Sequence, residues 1–242
     1  MEQEKSHCGG CSGGGCGGHS HEETVEKLAL HPFATVGAVY VVIGGKGGVG
    51  KSTITALLAA NDTFCGKKVG ILDADITNPS IHKLLDVPQG VTRDDSGLYP
   101  ALSASGIQLM GMGFLTEDEH SLITTKGPVM AGIVRQLFTD VCWENVDVLY
   151  IDLPSTLADV AEFVLSQMPI DGAVIIKNPG TLGEAATERV KRLLAEREIP
   201  IQKEVENFGA DLPFDKALFD AANSGALETF IEHPLVEKLS IF

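Results

Sequence analysis

The sequence is poor in positive charge. Its 18 Lys and Arg face 33 Asp and Glu, a formal net charge of −15, and no basic run exceeds the pair Lys67–Lys68. A chain this acidic repels phosphate backbones and anionic lipid headgroups, so nucleic acid and membrane surfaces are excluded as default partners. Long apolar runs are also missing: none approaches the roughly 20 residues that span a bilayer. Residues 1–20 lack the apolar segment of a secretion signal. The C-terminal stretch "LETFIEHPLVEKLSIF" is acidic and broken by Pro234, unlike the basic amphipathic helix of a membrane anchor. These absences predict a cytoplasmic protein with reduced thiols.

Cysteine is unevenly placed. Three of the five, Cys8, Cys11 and Cys16, fall within "HCGGCSGGGCGGHSHE". An odd count with this clustering favours metal ligation over a disulfide framework. Seven of the eleven residues from Cys8 to Gly18 are glycine, so the segment loses much backbone entropy on ordering and has nothing apolar to bury. Residues 1–22 are therefore expected to be a flexible Cys/Gly/His-rich segment ahead of one domain over residues 23–242. The spacing C-x2-C-x4-C lets three thiolates share one centre. A Cys₄ cluster, here a [4Fe–4S] centre, or a tetrahedral zinc site needs a fourth ligand. His19 and His21 are nearest, His7 lies on the other side, and a partner subunit is a further source. A plain tether with incidental cysteines, or a low-affinity metal store, fits the same composition. Cys65 and Cys142 stand alone and read as small buried apolar residues.

From Glu23 the composition changes. "EETVEKLALHPF" predicts a short helix closed by Pro32. A strand–helix alternation follows. "AVYVVI" (38–43) is a continuous apolar, β-branched run, as a strand buried on both faces should be. A helix is expected from Lys51 to about Cys65, with Gly66 as its cap. Further strands are expected at "KVGILD", "GIQLMGM", "VDVLYID", "GAVIIK" and "IPIQKEV". Further helices are expected over 79–85, 129–141, 157–167 and 182–197, and in most of the chain beyond Pro213. Length and alternation define an α/β fold, a parallel sheet covered by helices on both faces. Ligands of such sheets bind at the carboxyl ends of the strands.

Directly after the first strand comes "GGKGGVGKST". Residues 45–52 fit G-x-x-x-x-G-K-[ST] between a strand and a helix, the context the phosphate-binding loop requires. Gly45, Gly47, Gly48 and Gly50, with Val49 between them, let the backbone wrap a phosphate with N–H groups inward. The helix beginning near Lys51 adds its positive end. Lys51 reaches the β- and γ-phosphates of ATP, and the Ser52 hydroxyl, followed by Thr53, is placed to bind Mg²⁺. Asp152 closes an apolar strand as a Walker B aspartate does and is the expected second Mg²⁺ ligand. Asp75 is placed to orient the attacking water and Asp73 to support the metal. Each of these acids also reads as a helix N-cap or a solvated loop residue.

In the order they occur, "GKGGVGKST", "KVGILDADITNPSIHKLL", "MGMGFL", "KGPVMAGIVRQLF", "WENVDVLYIDLP" and "GAVIIKNPG" resemble the Mrp (ApbC-like) branch of the MinD/ParA-type P-loop ATPases. The resemblance covers roughly Val36 to Pro179 and is weaker elsewhere. It implies a slow ATPase that forms a homodimer around nucleotide, binds an iron–sulfur cluster and passes it to apo client proteins. It also implies that Lys46 reaches across the dimer to the partner's nucleotide, and that Asn207 of "VEN" and Pro213 lie beside the adenine. Two departures stand out. The family's C-x-x-C after the "VEN"-like segment is missing, since Asn207 runs almost directly into "FGADLPFD". And the "DLPPGTGD" that usually follows the Walker B strand reads "DLPSTLAD" here, without its hinge glycines. A nickel or zinc insertion chaperone and a nucleotide-gated interaction module with little turnover are the competing functional readings.

Overall fold

The computed structural model describes residues 26–116 and 127–231, together with Val236 and Leu239. The described residues form nine strands and six α-helices, in the order β1 (Val36–Ile43), α1 (Lys51–Phe64), β2 (Val69–Asp73), α2 (Ile81–Leu84), β3 (Thr92–Asp94), β4 (Gly97–Tyr99), β5 (Ala101–Leu102), β6 (Gln108–Gly111), α3 (Gly127–Thr139), β7 (Val146–Asp152), α4 (Asp159–Gln167), β8 (Gly172–Lys177), α5 (Thr181–Glu196), β9 (Ile201–Glu206) and α6 (Lys216–Asn223). Seven strands form one sheet in the order β5-β6-β2-β7-β1-β8-β9. Every pairing in it is parallel except that of the two-residue edge strand β5 with β6. The expected parallel sheet is therefore present, with one antiparallel edge.

The apolar run at β1 explains why this strand is central. Val39, Val41 and Ile43 point to one face, where α3, α4 and α5 pack through residues such as Phe138, Val164 and Leu194. Tyr40 and Val42 point to the other, where α1, α2 and the C-terminal residues Val236 and Leu239 pack. The two-residue period of a strand thus divides a continuous apolar run between two cores. The parallel pairing brings the ends of β1, β2, β7, β8 and β9 to one edge of the sheet.

Two expectations differ from the structure. Glu26–Phe33, the described part of "EETVEKLALHPF", forms no helix. It bonds outward instead: the Leu28 backbone N–H donates to the Gln167 carbonyl at 2.8 Å and the Lys27 side-chain ammonium to the Ser166 carbonyl at 3.0 Å. Leu28 and Leu30 pack against the core from this irregular segment. Tertiary partners have displaced the local helical bonds, and Pro32 supplies no N–H to rebuild them. The β3–β4 hairpin and β5, before the expected strand at "GIQLMGM", were not foreseen.

One buried polar pair ties α1 to the sheet. Tyr150, fully buried in β7, donates its hydroxyl to Asp62 Oδ2 at 2.7 Å, and the Lys67 ammonium lies 3.5 Å from the other oxygen. Tyr150→Phe leaves that buried carboxylate short of a donor, with an expected cost of about 1–3 kcal/mol. A lowered urea midpoint, followed through the fully buried single tryptophan Trp143, checks it.

Candidate nucleotide site

The seven residues between β1 and α1 turn tightly over the carboxyl end of the sheet. Gly50 holds a left-handed φ of 88°, and a side chain there would also collide with the Asn207 amide. At Gly45 a side chain would run into the Ala186 carbonyl of α5. Both positions demand glycine for stated reasons, one conformational and one steric. Gly44 and Val49 are buried, whereas Lys46, Gly47 and Gly48 face outward. Lys46 borders a groove of about 270 Å³ that separates the loop from the start of α5, where Asn178, Thr181 and Leu182 form the opposite wall.

Behind the loop stands a compact polar cluster. Lys51 opens α1 and is buried. The Ser52 hydroxyl donates to Asp152 Oδ2 at 2.5 Å, and the Thr55 hydroxyl to Asp152 Oδ1 at 2.9 Å. Asp152 ends β7 and is paired in register with Asp73 at the end of β2. Asp73 accepts backbone N–H bonds from Asp75 at 3.1 Å, Ser80 at 3.0 Å and Ile81 at 3.3 Å. Its oxygens thus bind the chain that enters α2. Asp75 is half-buried, and its Oδ1 accepts from the Thr77 hydroxyl and the Asn78 N–H. Both acids hold local backbone, and the charge of Asp75 also acts on Lys51 and Asp152. Thr55 was missed in the sequence; its i+3 spacing from Ser52 on α1 was the available signal.

The electrostatics follow from burial. Desolvation pushes the Asp73 carboxyl up to about 8, helped by the charge of Asp152 and opposed by its backbone donors. Desolvation also pushes Asp152 up to about 6, against the Ser52 and Thr55 hydroxyls and the Lys51 ammonium. Burial lowers Lys51 below its ordinary value, while Asp152 and Asp75 pull the other way. Two desolvated carboxyls with one cation among them suit a hard divalent ion with oxygen ligands, and Ser52 and Asp152 have the donor chemistry for Mg²⁺.

Raised carboxyl values fix the sign of a pH effect. Between the ordinary carboxylate range and the raised values, the metal-free folded state binds more protons than the unfolded chain. Its stability therefore falls as pH rises through that window. Thermal unfolding of the metal-free protein is expected at a lower temperature at about pH 8 than at about pH 5. Asp152→Asn is expected to flatten the slope.

The end of β9 closes the site. Asn207 donates from Nδ2 to the Val49 carbonyl at 2.8 Å, tying β9 to the phosphate loop. Beside it is a cavity of about 90 Å³ lined by Thr53, Asn207, Pro213, Phe208, Phe214 and Phe219 among others. The three phenylalanines are half or more exposed, with the Phe214 and Phe219 rings tilted at 46° to one another, their centroids 6.2 Å apart. This aromatic wall was not foreseen, because no periodic pattern marks it. Cys8, Cys11, Cys16 and His19 lie outside the described residues. Among those described, no three His, Cys, Asp or Glu side chains converge on a metal position. Cys65 is exposed, against the expectation of burial, because it follows the last turn of α1; Cys142 is buried with its sulfur 3.3 Å from His31 Nδ1.

A glycine loop between a central parallel strand and a helix, a buried lysine, and a serine bonded to an aspartate at the end of the neighbouring strand define a P-loop NTPase. A family model described as ParA, NUBPL iron-transfer P-loop NTPase, matches residues 35–222. The chain belongs to this family. It is 36% identical over 191 residues to an iron–sulfur cluster carrier protein of Methanocaldococcus jannaschii, covering 78% of this chain and 66% of the relative. It is 29% identical over 242 residues to a protein of the same name from Clostridium perfringens, covering 96% and 85%. Among solved structures, a nucleotide-binding protein of Archaeoglobus fulgidus in complex with ADP superposes with a TM-score of 0.68 at 30% identity, over 81% of this chain and 89% of that one. The cell division ATPase MinD of Pyrococcus furiosus shares the fold, with a TM-score of 0.62 at 19% identity, over 84% and 98%. No helix among the described residues is long and apolar enough to cross a membrane.

Proposed function

We propose that this protein is an ATP-dependent iron–sulfur cluster carrier that hydrolyses ATP slowly and delivers clusters to apo client proteins. The observation that carries the reading is the Lys51–Ser52–Asp152 cluster behind the glycine loop, in a chain whose relatives are cluster carriers. The loop N–H groups and Lys51 bind the β- and γ-phosphates. Ser52 and Asp152 hold Mg²⁺, supported by Asp73 from behind; the ion neutralises phosphate charge. The cavity beside Asn207 and Pro213 receives the adenine, a flat aromatic base whose faces suit an aromatic wall. Asp75 orients the attacking water. Lys46, exposed at the mouth, reaches the nucleotide of a second copy, so that turnover requires a homodimer. The cluster is the cargo, and Cys8, Cys11 and Cys16 with His19 hold it.

Cluster transfer is the direct test. Protein loaded with iron and sulfide is mixed with an apo iron–sulfur acceptor, with and without Mg-ATP, and acceptor activity is followed. Activation of the acceptor that changes on addition of Mg-ATP supports the reading. An acceptor that stays inactive under both conditions contradicts it.

A further inference from the structure

The loop that joins β7 to α4 differs from the motif it resembles at a residue beside the phosphate loop. Where "DLPPGTGD" has its second proline, this chain has Ser155. The loop is fixed at both ends. Leu153 N–H still donates to the Val42 carbonyl of β1 at 3.2 Å, and the Asp159 carboxylate lies against Gly127 at the start of α3. Between those ties, Ser155 stands over the phosphate loop: a methyl group at Gly47 would lie 3.7 Å from its Cβ and 3.8 Å from its Oγ. Gly47 faces outward, as do Thr156, Leu157 and Ala158, while Ser155 is half-buried. The Ser155 hydroxyl makes no hydrogen bond with another described residue. A donor is thus held three residues from Asp152, beside the backbone that wraps the phosphates, with no acceptor for it among the described residues. Proline at this position has no side-chain donor, and the glycines that would let the loop swing are absent here.

We propose that Ser155 is the residue with which this loop detects the terminal phosphate of ATP, by donating its hydroxyl to a γ-phosphate oxygen. The inference rests on the nucleotide reading above. It accounts for a loop that has lost its hinges: a hydroxyl already in place senses the phosphate without a large swing. The contact exists with ATP and not with ADP, so it acts on the difference between the two affinities.

Calorimetric titration of the full chain with Mg²⁺ and either a non-hydrolysable ATP analogue or ADP tests this. Ser155→Ala is expected to weaken the analogue by about tenfold and to change ADP by less than about twofold, as for one hydrogen bond to a charged acceptor. Unchanged ADP binding also shows that the variant is folded. Ser155→Thr, which keeps the hydroxyl, is expected to retain the preference for the analogue. An unchanged ratio of the two affinities in Ser155→Ala overturns the assignment, whether both stay the same or both weaken together. If the unaltered protein binds neither nucleotide, the nucleotide reading fails and this inference falls with it. If it binds both and only the Ser155 variants behave alike, the nucleotide reading stands and the Ser155 role alone is lost.

Discussion

Lys51→Ala is expected to weaken ATP binding by about a hundredfold or more, because it removes a desolvated cation from a doubly charged phosphate pair. The site shows why the loss is large. Lys51 is buried at the first turn of α1, beneath the glycine loop, and burial already costs its charged form. That cost is recovered only when anions surround it. In the metal-free protein Asp152 and Asp75 do part of this, and phosphates do the rest in the complex. The variant also removes the cation that restrains the Asp152 carboxyl, so the fall in metal-free stability with rising pH should steepen. Calorimetry with ATP and thermal unfolding across pH read the two effects separately. Retained affinity within about threefold of the unaltered protein would mean that the phosphates do not sit where the loop places them.

Joint replacement of Cys8, Cys11 and Cys16 by serine is expected to abolish iron and sulfide binding while leaving nucleotide affinity unchanged. Thiol supply decides this. The five cysteines include three in one glycine-rich stretch, and the other two are isolated in the fold. Cys65 follows the last turn of α1, and Cys142 sits buried against His31 on a different part of the molecule. A cluster requires several soft ligands at one point, which the described residues do not assemble. Iron analysis after anaerobic reconstitution measures the loss. His19→Ala alongside shows whether the fourth ligand comes from this chain: retained iron would direct attention to His21, His7 or a partner subunit.

The parts of the fold that were legible are those where burial leaves a continuous signature. β1, β7 and β8 read directly because strands covered on both faces need apolar residues at nearly every position. The glycine loop was legible because phosphate wrapping fixes residue type position by position, as the collision of any Gly45 side chain with α5 illustrates. The segments that were misread lack such constraints. Thr92–Asp94 is wholly exposed, so the β3–β4 hairpin shows no alternation, and its turn is set by Asp94 accepting from the Ser96 and Gly97 N–H groups. Residues 26–33 form no helix: the Leu28 N–H goes to the Gln167 carbonyl, and the Ala34 N–H closes a turn on the His31 carbonyl around Pro32. Thr55 shares the Ser52 face of α1, a spacing visible in the sequence, but its bond to Asp152 and the place of Ser155 over Gly47 depend on which side chains face one another across the end of the sheet.

The measurement that tests the account most directly is metal analysis of the full chain, purified and reconstituted without oxygen in the presence of iron, sulfide, zinc and nickel. The account predicts iron and acid-labile sulfide bound in equal amounts, with the visible absorption of an iron–sulfur cluster and no tight zinc or nickel. Stoichiometric zinc or nickel without sulfide would contradict it and identify the Cys/His segment as a ligand store for single metal ions.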